Sequence, residues 1–423
     1  MNRSWRCVMG NTLKGKIKLI VFILFILLST DSALVSTNNN RIWARISWLI
    51  IGTYFLCRFM LKKRIQMEIK EILYLIVFSG CIILTMSFAN RAFHINYIQR
   101  ILLLWLSALI VKDISYGIFM DMFVYVMEII AIFSLVCFAM QGVIVNLPFV
   151  PNLYAGDVYF KALFLTNVPC FGDVRNYGPF WEPGAYQLYL NWAIFYELQR
   201  GKGPDIIKVA IFAVTIFTTK STTGMIILGL LFIYYLVIDK HSNTIRSLTT
   251  KCLVLAGTFS GVLYLSLNKS FFGNVFNKLI LFVADPRVNN DATVSAYVRF
   301  HGIEANIKEL LNSPFWGNGI TILSERFLQY YELTSNPNGI LAMGATFGVL
   351  PFCLYMMLII ASANKQRKMI TKGIILLILV IMFATENLIV SLSSFTLLFY
   401  ESGIIRNWRD GIFGRKIGEE YEI

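Results

Sequence analysis

The sequence predicts an all-α fold, a polytopic integral membrane bundle of about 12 transmembrane helices with two large extracytoplasmic loops. One reason is composition: 57% of residues are hydrophobic and only 15% are charged, whereas soluble domains carry about 25% charged residues. The other is that apolar runs recur along the whole chain, and each approaches the roughly 20 residues that cross a bilayer. These observations exclude an ordinary soluble enzyme and predict one integral membrane domain over residues 1–423.

The apolar runs divide the chain into spans. The predicted spans are 18–35, 42–58, 72–88, 101–111, 117–144, 183–198, 206–219, 223–238, 252–268 and 338–361, with two more in 373–400. The last stretch suits one tilted helix or two short helices broken near Glu386 and Asn387, and two are predicted. The first span begins like a signal peptide, but no small-residue cleavage site follows, so a retained helix is predicted.

Positive charge sets the orientation. With the N-terminus inside, most lysines and arginines fall in segments on the inner side, as cytoplasmic loops require. Both termini are therefore predicted to be cytoplasmic. This topology accounts for the formal net charge of +14, so no nucleic-acid partner is implied.

The two large outer loops are predicted at 145–182 and 269–337, and the second contains a surface helix near 295–312. Apolar residues in that helix recur at spacings of three and four, which defines one apolar face: Ala296, Phe300, Ile303, Ile307 and Leu310. Arg299 falls at the edge of this face near Asn306. A helix lying on the membrane with its apolar face down would hold Arg299 over an outer cavity. His301 is predicted to face water.

The first loop ends in a segment suited to bind phosphate. Pro183 favours the first turn of a helix and forces Glu182 to be extended, so a helix N-terminus opens beside Arg175. Free backbone N–H groups and a guanidinium together suit a phosphate. For Phe180 and Trp181 an interfacial aromatic belt is the alternative interpretation.

Two further features keep two interpretations each. In the tight turn 218–224, Ser221 or Thr222 can cap the next helix, so Lys220 is either a second anion contact or part of a plain helix hairpin. The intramembrane carboxylates Glu128 and Glu386 either line a cavity or pair with a buried partner such as Arg45.

No cofactor or metal is predicted. The sequence has no phosphate-binding loop for a nucleotide, no zinc-type Cys/His spacing and no DxD motif. The only cysteine predicted to lie outside is Cys170, so an internal disulfide is not expected there.

The motifs occur in a recognisable order: Arg175 with Gly178 to Gly184, Ser221 to Gly224, Arg299 followed by Pro314 to Gly319, and Asn336 to Leu341 with Gly348. This order resembles the O-antigen polymerase and ligase superfamily of bacterial surface-polysaccharide enzymes. The resemblance covers about 175–390, and before that only the hydropathy agrees.

The resemblance implies a Wzy-type polymerase in the bacterial plasma (inner) membrane, with its active site outside. Such an enzyme joins oligosaccharide repeat units of O-antigen or capsule, and both donor and acceptor are carried on undecaprenyl diphosphate in the lipid bilayer. An arginine in each large outer loop is considered essential in that family, and these match Arg175 and Arg299. The ligase branch has a His-Asn pair where this chain reads Pro337-Asn338, which disfavours a ligase.

The reaction itself indicates roles for these residues. Without a metal motif, cationic side chains must stabilise the departing diphosphate, which Arg175 and Arg299 can do. The acceptor hydroxyl needs a general base, for which Glu182 is the first candidate and Asp173 the second. The remaining residues predicted to bind substrate are Lys220, Tyr177, Trp181 and Asn338. The alternatives are an O-antigen ligase and a flippase for the same lipid-linked unit, and whether a chain-length regulator is a partner stays open.

Overall fold

The computed structural model describes most of the helical part of the chain. The described residues are 13–30, 49, 52–53, 66–90, 95–148, 150, 152–155, 158–163, 165–170, 175–200, 203–237, 291–331, 333, 336–366, 368–388 and 391–407. The predicted span 252–268, nearly all of 42–58, and the candidates Arg45 and Asp173 lie outside the described residues.

Helices dominate the described chain. They are α1 (Leu13–Thr30), α2 (Ile69–Thr85, continued by a π-helical turn Met86–Asn90), α3 (Ile95–Asp113), α4 (Tyr116–Ala139), α5 (Gln141–Ile144), α6 (Pro183–Gln199), α7 (Ile206–Thr219), α8 (Thr222–Val237), α9 (Asp291–Asn312), α10 (Ile320–Tyr331), α11 (Gly339–Phe347), α12 (Val349–Asn364), α13 (Met369–Thr385) and α14 (Leu392–Ser402).

The lengths and compositions of these helices are those of a membrane protein. Among the described residues, Ile69–Ala89, Ile95–Asp113 and Tyr116–Ala139 are long and apolar enough to cross a membrane. Four more helices, α7, α8, α12 and α13, are apolar but shorter. The expectation of about 12 spans is not confirmed by these helices.

Two helix breaks bear on the predicted spans. The stretch 338–361, predicted as a single span, is not one continuous helix, because α11 ends at Phe347 and α12 begins at Val349. Gly348 between them has φ +92°, and a Cβ there would lie 2.4 Å from the carbonyl oxygen of Phe315. The break predicted near Glu386 is confirmed, since α13 ends at Thr385 and α14 begins at Leu392.

The loop at 145–182 contains strands, so the all-α prediction is wrong in this segment. Strands β1 (Asn152–Ala155), β2 (Val158–Leu163) and β3 (Thr166–Pro169) form an antiparallel sheet in the order β1-β2-β3. The apolar side chain of Phe160 in β2 is buried. Lys161 is also buried, and its ammonium donates to the carbonyls of Leu147 and Val150 at 3.0 and 3.2 Å. The sheet is thereby tied to the end of α5.

The chain forms two compact units. The first unit comprises Met1–Glu71, Leu102–Leu231 and Val390–Ile423, and the second comprises Ile72–Ile101 and Phe232–Ile389. Arg175 therefore belongs to the first unit and Arg299 to the second.

The core of the first unit is α6. Its residues from Ala185 to Leu198 are all buried, and it packs against α4 and α7. The start of α6 is as predicted: Pro183 occupies its first turn, and Glu182 is extended with φ −147° and ψ 153°. Because α6 is buried on every side, its first turn is held in position, and so is the point where the preceding loop joins it.

In the second unit, α9 packs through a narrow face. Gly302, Ala305, Asn306 and Glu309 are buried. Of the predicted apolar stripe, Phe300 and Ile307 remain 50% and 43% exposed, whereas Leu310 packs beside Gly344 of α11. An exposed apolar stripe is what a helix lying on a membrane surface requires.

Candidate functional site

Arg175 is one of the residues that line a small cleft in the first unit. The cleft is lined by Ser134, Phe138, Gln141, Thr166, Asn167, Val168, Pro169, Arg175 and Asn176. These residues come from α4, α5, β3 and the loop before α6. The cleft therefore depends on the sheet, which the sequence reasoning did not foresee.

The neighbour of Arg175 fixes the backbone at this position. The buried Asn176 side chain donates to Ser134 Oγ at 3.1 Å and to Thr218 Oγ1 at 3.0 Å. Its Oδ1 accepts the backbone N–H of Gly178 at 3.0 Å. Ser134 is in turn hydrogen-bonded to the Tyr186 hydroxyl at 2.8 Å. Asn176 thus joins α4, α7 and α6 directly beside Arg175.

The glycine and aromatic residues that follow Arg175 have structural roles. Gly178 has φ +52°, and a Cβ there would lie 2.6 Å from the ring of Tyr186. Phe180 is fully buried and stacks on Tyr186 and Tyr189, with ring centroids 5.6 and 4.9 Å apart. This burial does not fit the interfacial-belt interpretation of Phe180.

The predicted substrate contacts near Arg175 differ in exposure. Tyr177 is buried, and its ring lies edge-on to Phe160 with centroids 5.0 Å apart, so the ring joins the loop to the sheet. Trp181 and Glu182 are both partly exposed. The Glu182 carboxylate has no ion-pair or hydrogen-bond partner within the described part of the chain, and Glu182 does not cap α6 through its side chain.

Lys220 occupies the turn between α7 and α8. Its backbone is left-handed, with φ 50° and ψ 27°, and it is the only non-glycine residue with a positive φ in the described ranges. Ser221 Oγ accepts the N–H of Gly224 at 3.3 Å, so the predicted helix cap is present. The carbonyl of Thr218 in the same turn accepts the N–H of Asn176 at 3.0 Å. This bond brings the Lys220 turn to the backbone that carries Arg175.

In the second unit, Arg299 lies on the face of α9 that meets the loop before α11. Asn306, two turns further along the same face, exchanges amide hydrogen bonds with Asn336 at 2.8 and 2.9 Å. The carbonyl of Asn336 also accepts from Asn387 at 2.7 Å. Between Arg299 and Asn306, Gly302 faces Pro337, since a Cβ there would lie 3.8 Å from the proline ring.

Asn338 acts as a helix cap. It is buried, and its Oδ1 accepts the N–H of Leu341 at 2.9 Å, which satisfies one free donor at the start of α11. The next residue, Gly339, is held close to α13, because a Cβ there would lie 2.6 Å from the carbonyl oxygen of Glu386. The capping bond uses one of the two lone pairs of this oxygen.

The segment Pro314 to Gly319 fastens α9 to α10 and α11. Asn318 donates to the carbonyls of Glu309 and Ala345 at 2.8 and 3.2 Å, and its Oδ1 accepts from Arg326 at 2.8 Å. Arg326 also pairs with the buried Glu309 carboxylate at 2.7 Å. Sequence reasoning singled out Pro314 to Gly319 as a motif but did not connect it with Glu309 and Arg326.

The remaining charged candidates have structural partners. Glu128 pairs with Lys208 at 2.8 Å, which favours the ion-pair interpretation. On α9, Lys308 pairs with Glu304 at 2.6 Å, and its ammonium lowers the pKa of that carboxyl below the ordinary value. His301 lies 3.6 Å from Glu304 and is partly exposed.

Comparison with known proteins adds no homologue: no family model matches the sequence, and no curated protein shows significant similarity to it. A function for this chain must therefore be argued from the residues themselves and from the order of the short motifs.

Proposed function

We propose that this membrane protein is a metal-independent glycosyltransferase that polymerises oligosaccharide repeat units carried on undecaprenyl diphosphate. The reaction takes place at the outer face of the bacterial plasma membrane and yields O-antigen or capsular polysaccharide. The observation that carries the proposal is the Arg175 cleft. A partly exposed guanidinium lies beside polar side chains, on a loop whose backbone Asn176 fixes.

The cleft has the features that the reaction needs at its leaving group. The bond between C1 of the donor sugar and the diphosphate oxygen breaks, and negative charge develops on the diphosphate. A preorganised guanidinium stabilises that charge most where its supporting backbone does not have to move. The turn of Lys220 is hydrogen-bonded to Asn176, which supports a second cation for the same diphosphate.

The second half of the reaction needs a base. The acceptor sugar hydroxyl attacks C1, and its proton passes to a carboxylate. Glu182 supports this role because it is partly exposed, and it has no partner among the described residues that would hold it elsewhere. Arg299, carried by helix α9 of the second unit, is proposed separately as a further catalytic residue.

A flippase for the same lipid-linked unit is a second candidate, favoured by one observation. The helices are interrupted at Gly348 and again after Thr385. Discontinuous helices at the binding site are characteristic of secondary transporters. Unlike a polymerase, a flippase has no need of a general base, so the two proposals differ in the role of Glu182.

The deciding experiment is the surface-polysaccharide ladder of a strain that lacks the gene. The strain is complemented with wild type, Arg175→Ala, Arg299→Ala or Glu182→Gln, and membrane levels of each variant are measured. A polymerase predicts that each variant leaves surface glycan capped with a single repeat unit. Lys308→Ala, which removes an exposed cation from the same helix as Arg299, should retain the wild-type ladder.

Two results would replace the proposal. Loss of all surface repeats in the deletion strain would identify a flippase. Polymer that accumulates on the lipid carrier without reaching its final acceptor would identify a ligase.

A further inference from the structure

Large apolar side chains lie exposed along α9 and in the turn that follows it. On α9 they are Phe300, Ile307 and Leu311, and Leu311 is 72% exposed. At 3.6 residues per turn these three residues fall within about 40° of one another around the helix. In the turn, Phe315 and Trp316 are exposed as well, and Phe315 reaches 73%. The exposed stripe of α9 therefore continues into the turn.

The backbone of this turn is hydrogen-bonded on both sides of the two aromatic residues. The carbonyl of Pro314 accepts the N–H of Val349 at 2.7 Å, and the N–H of Gly319 donates to the carbonyl of Thr346 at 3.0 Å. A turn fixed in this way presents the two aromatic side chains outward in every molecule. Large exposed apolar surfaces of this kind mark a site that binds a partner or a membrane.

The turn also contacts the end of a helix that can cross a membrane. The rings of Trp316 and Phe88 are stacked, with centroids 4.7 Å apart and 23° between their planes. Phe88 lies in the π-helical turn that continues α2, and the two together are long and apolar enough to cross a membrane. The start of α3, the next such helix, is held at the same place, because the Tyr97 hydroxyl accepts the N–H of Ile320 at 2.8 Å. The turn therefore lies at the depth where α2 ends and α3 begins.

The exposed face of α2 indicates what covers this surface. Every exposed large side chain from position 73 to position 88 is apolar, and these are Leu73, Ile76, Ile83, Leu84 and Phe88. In a helix that crosses a bilayer, such a face is turned toward the lipid. Phe88 ends this face and stacks on Trp316, so the lipid-facing surface of α2 continues onto the turn and α9. Aromatic side chains concentrate where the hydrocarbon core meets the headgroups, which is the depth at which a span ends.

We propose that this surface inserts into the lipid bilayer and holds α9 in the interfacial layer of the leaflet where α2 ends. The insertion surface comprises Phe88, Phe300, Ile307, Leu311, Phe315 and Trp316. An interfacial helix buries its apolar face about 5–10 Å into the boundary between headgroups and acyl chains. Arg299 lies about 100° around α9 from Phe300, at the flank of the stripe, so insertion sets Arg299 at the level of the headgroups. The inference does not rest on the proposed function.

The test measures the depth of spin labels on the full-length protein in nanodiscs that hold a single copy. Leu311→Cys and Phe315→Cys are each labelled with a nitroxide, in a protein whose seven native cysteines are replaced by alanine. Relaxation of each label is measured with oxygen, which concentrates in lipid, and with a nickel chelate, which stays in water. The ratio of the oxygen effect to the nickel effect should be at least about threefold higher at both positions than for a label in water.

Three further positions calibrate the ratio. Ile83→Cys lies on the lipid-facing side of α2 and should give a high value, whereas Lys70→Cys, exposed near the start of the same helix, should give the value for water. Asn312→Cys is the matched control. Asn312 is exposed beside Leu311 but lies about 100° around the helix from it, so its ratio should be lower than that of Leu311→Cys.

Two results would overturn the proposal. Ratios for Leu311→Cys and Phe315→Cys equal to that for Lys70→Cys would show that water covers the surface. Labels that neither oxygen nor the nickel chelate reaches would show that another part of the protein covers it. No glycan is synthesised in this test, so its failure would leave the proposed polymerase activity untouched.

A second measurement decides the question if the cysteine-free protein does not fold. Wild type and Trp316→Phe, which keeps a ring to stack on Phe88, are compared in ordinary lipids and in lipids brominated near the headgroup end of their acyl chains. The tryptophan emission by which wild type exceeds the variant should fall by about half or more in the brominated lipids, because bromine quenches only at contact with the inserted ring. An equal excess in both lipids would refute insertion of Trp316.

Discussion

A buried ion pair holds the C-terminal segment of the first unit, and its removal should be costly. Lys112 Nζ lies 2.7 Å from Glu71 Oε2, and the two side chains are only 4% and 1% exposed. The same ammonium donates to the carbonyl of Arg406 at 2.7 Å, and Glu71 Oε1 accepts the N–H of Arg406 at 2.9 Å. One pair of charges therefore also satisfies both backbone groups of a residue beyond α14.

The expected cost follows from what each substitution leaves behind. Lys112→Met leaves a buried carboxylate with the backbone N–H groups of Glu68 and Arg406 as its remaining described partners, and removing one member of a buried pair costs roughly 3–5 kcal/mol. The melting temperature should fall by roughly 5–15 °C. Glu71→Leu should cost a similar amount, because it strands the ammonium.

The double variant Glu71→Leu, Lys112→Met removes both charges but leaves the N–H and carbonyl of Arg406 without these partners. At about 1–3 kcal/mol for each group, it should cost less than the sum of the single variants. The difference predicts a coupling energy of roughly 2–5 kcal/mol. The assay is thermal unfolding of the purified protein, followed by tryptophan fluorescence.

The matched control is an exposed pair in the same region. Lys70 lies 2.8 Å from Glu68, but the side chains are 72% and 60% exposed. Lys70→Met should therefore shift the melting temperature little, because exposed pairs contribute little stability. Equal shifts for Lys70→Met and Lys112→Met would refute the reasoning, since burial would then have no effect.

Two further predictions concern the supports of the candidate arginines. In the first, Gly178→Ala should destabilise the protein by roughly 2–5 kcal/mol, because its φ of +52° and the Tyr186 ring both oppose a Cβ. The control Gly142→Ala should change the melting temperature little, because a Cβ there meets nothing within 4 Å. Equal shifts of the melting temperature for the two variants would contradict this account. In the second, Asn306→Leu and Asn336→Leu should each lower the free energy of unfolding by roughly 1–3 kcal/mol. The double variant should lower it by less than the sum, because the two residues share one amide pair. Strictly additive shifts in the melting temperature would count against the pair.

Local signals predicted the helices whose ends depend on nearby residues. The span expected at 206–219 is helix α7 (Ile206–Thr219). Pro183 opens α6 as expected, because proline fixes its own φ and restricts the residue before it. Hydropathy and helix-start residues act within one or two turns, so the sequence contains enough information to place these elements.

The helix break at Gly348 and the three-stranded sheet depend on tertiary contacts, which hydropathy does not reveal. The apolar run 338–361 is continuous in sequence, yet Gly348 breaks it where the N–H of Val349 donates to the carbonyl of Pro314 at 2.7 Å. Pro314 is distant from Gly348 in sequence, so no pattern in the residues around Gly348 includes it. The sheet was missed for a similar reason: strands of four to six residues inside a loop give a weak alternation signal, and their pairing is set by the sheet as a whole.

The short motifs around the two arginines contain residues that hold the neighbouring backbone in place. Beside Arg175, Asn176 and Gly178 are required by hydrogen bonds and by a positive φ, respectively. On the Arg299 helix, Asn306 is required by its amide pair with Asn336. The residues constrained by structure are thus few and separated, while the spans between them need only be apolar. Chains that share these supporting residues can keep the order of the motifs and lose all other sequence similarity. The motifs therefore indicate how the two arginines are positioned. Only the variants at Arg175 and Arg299 test what the arginines do.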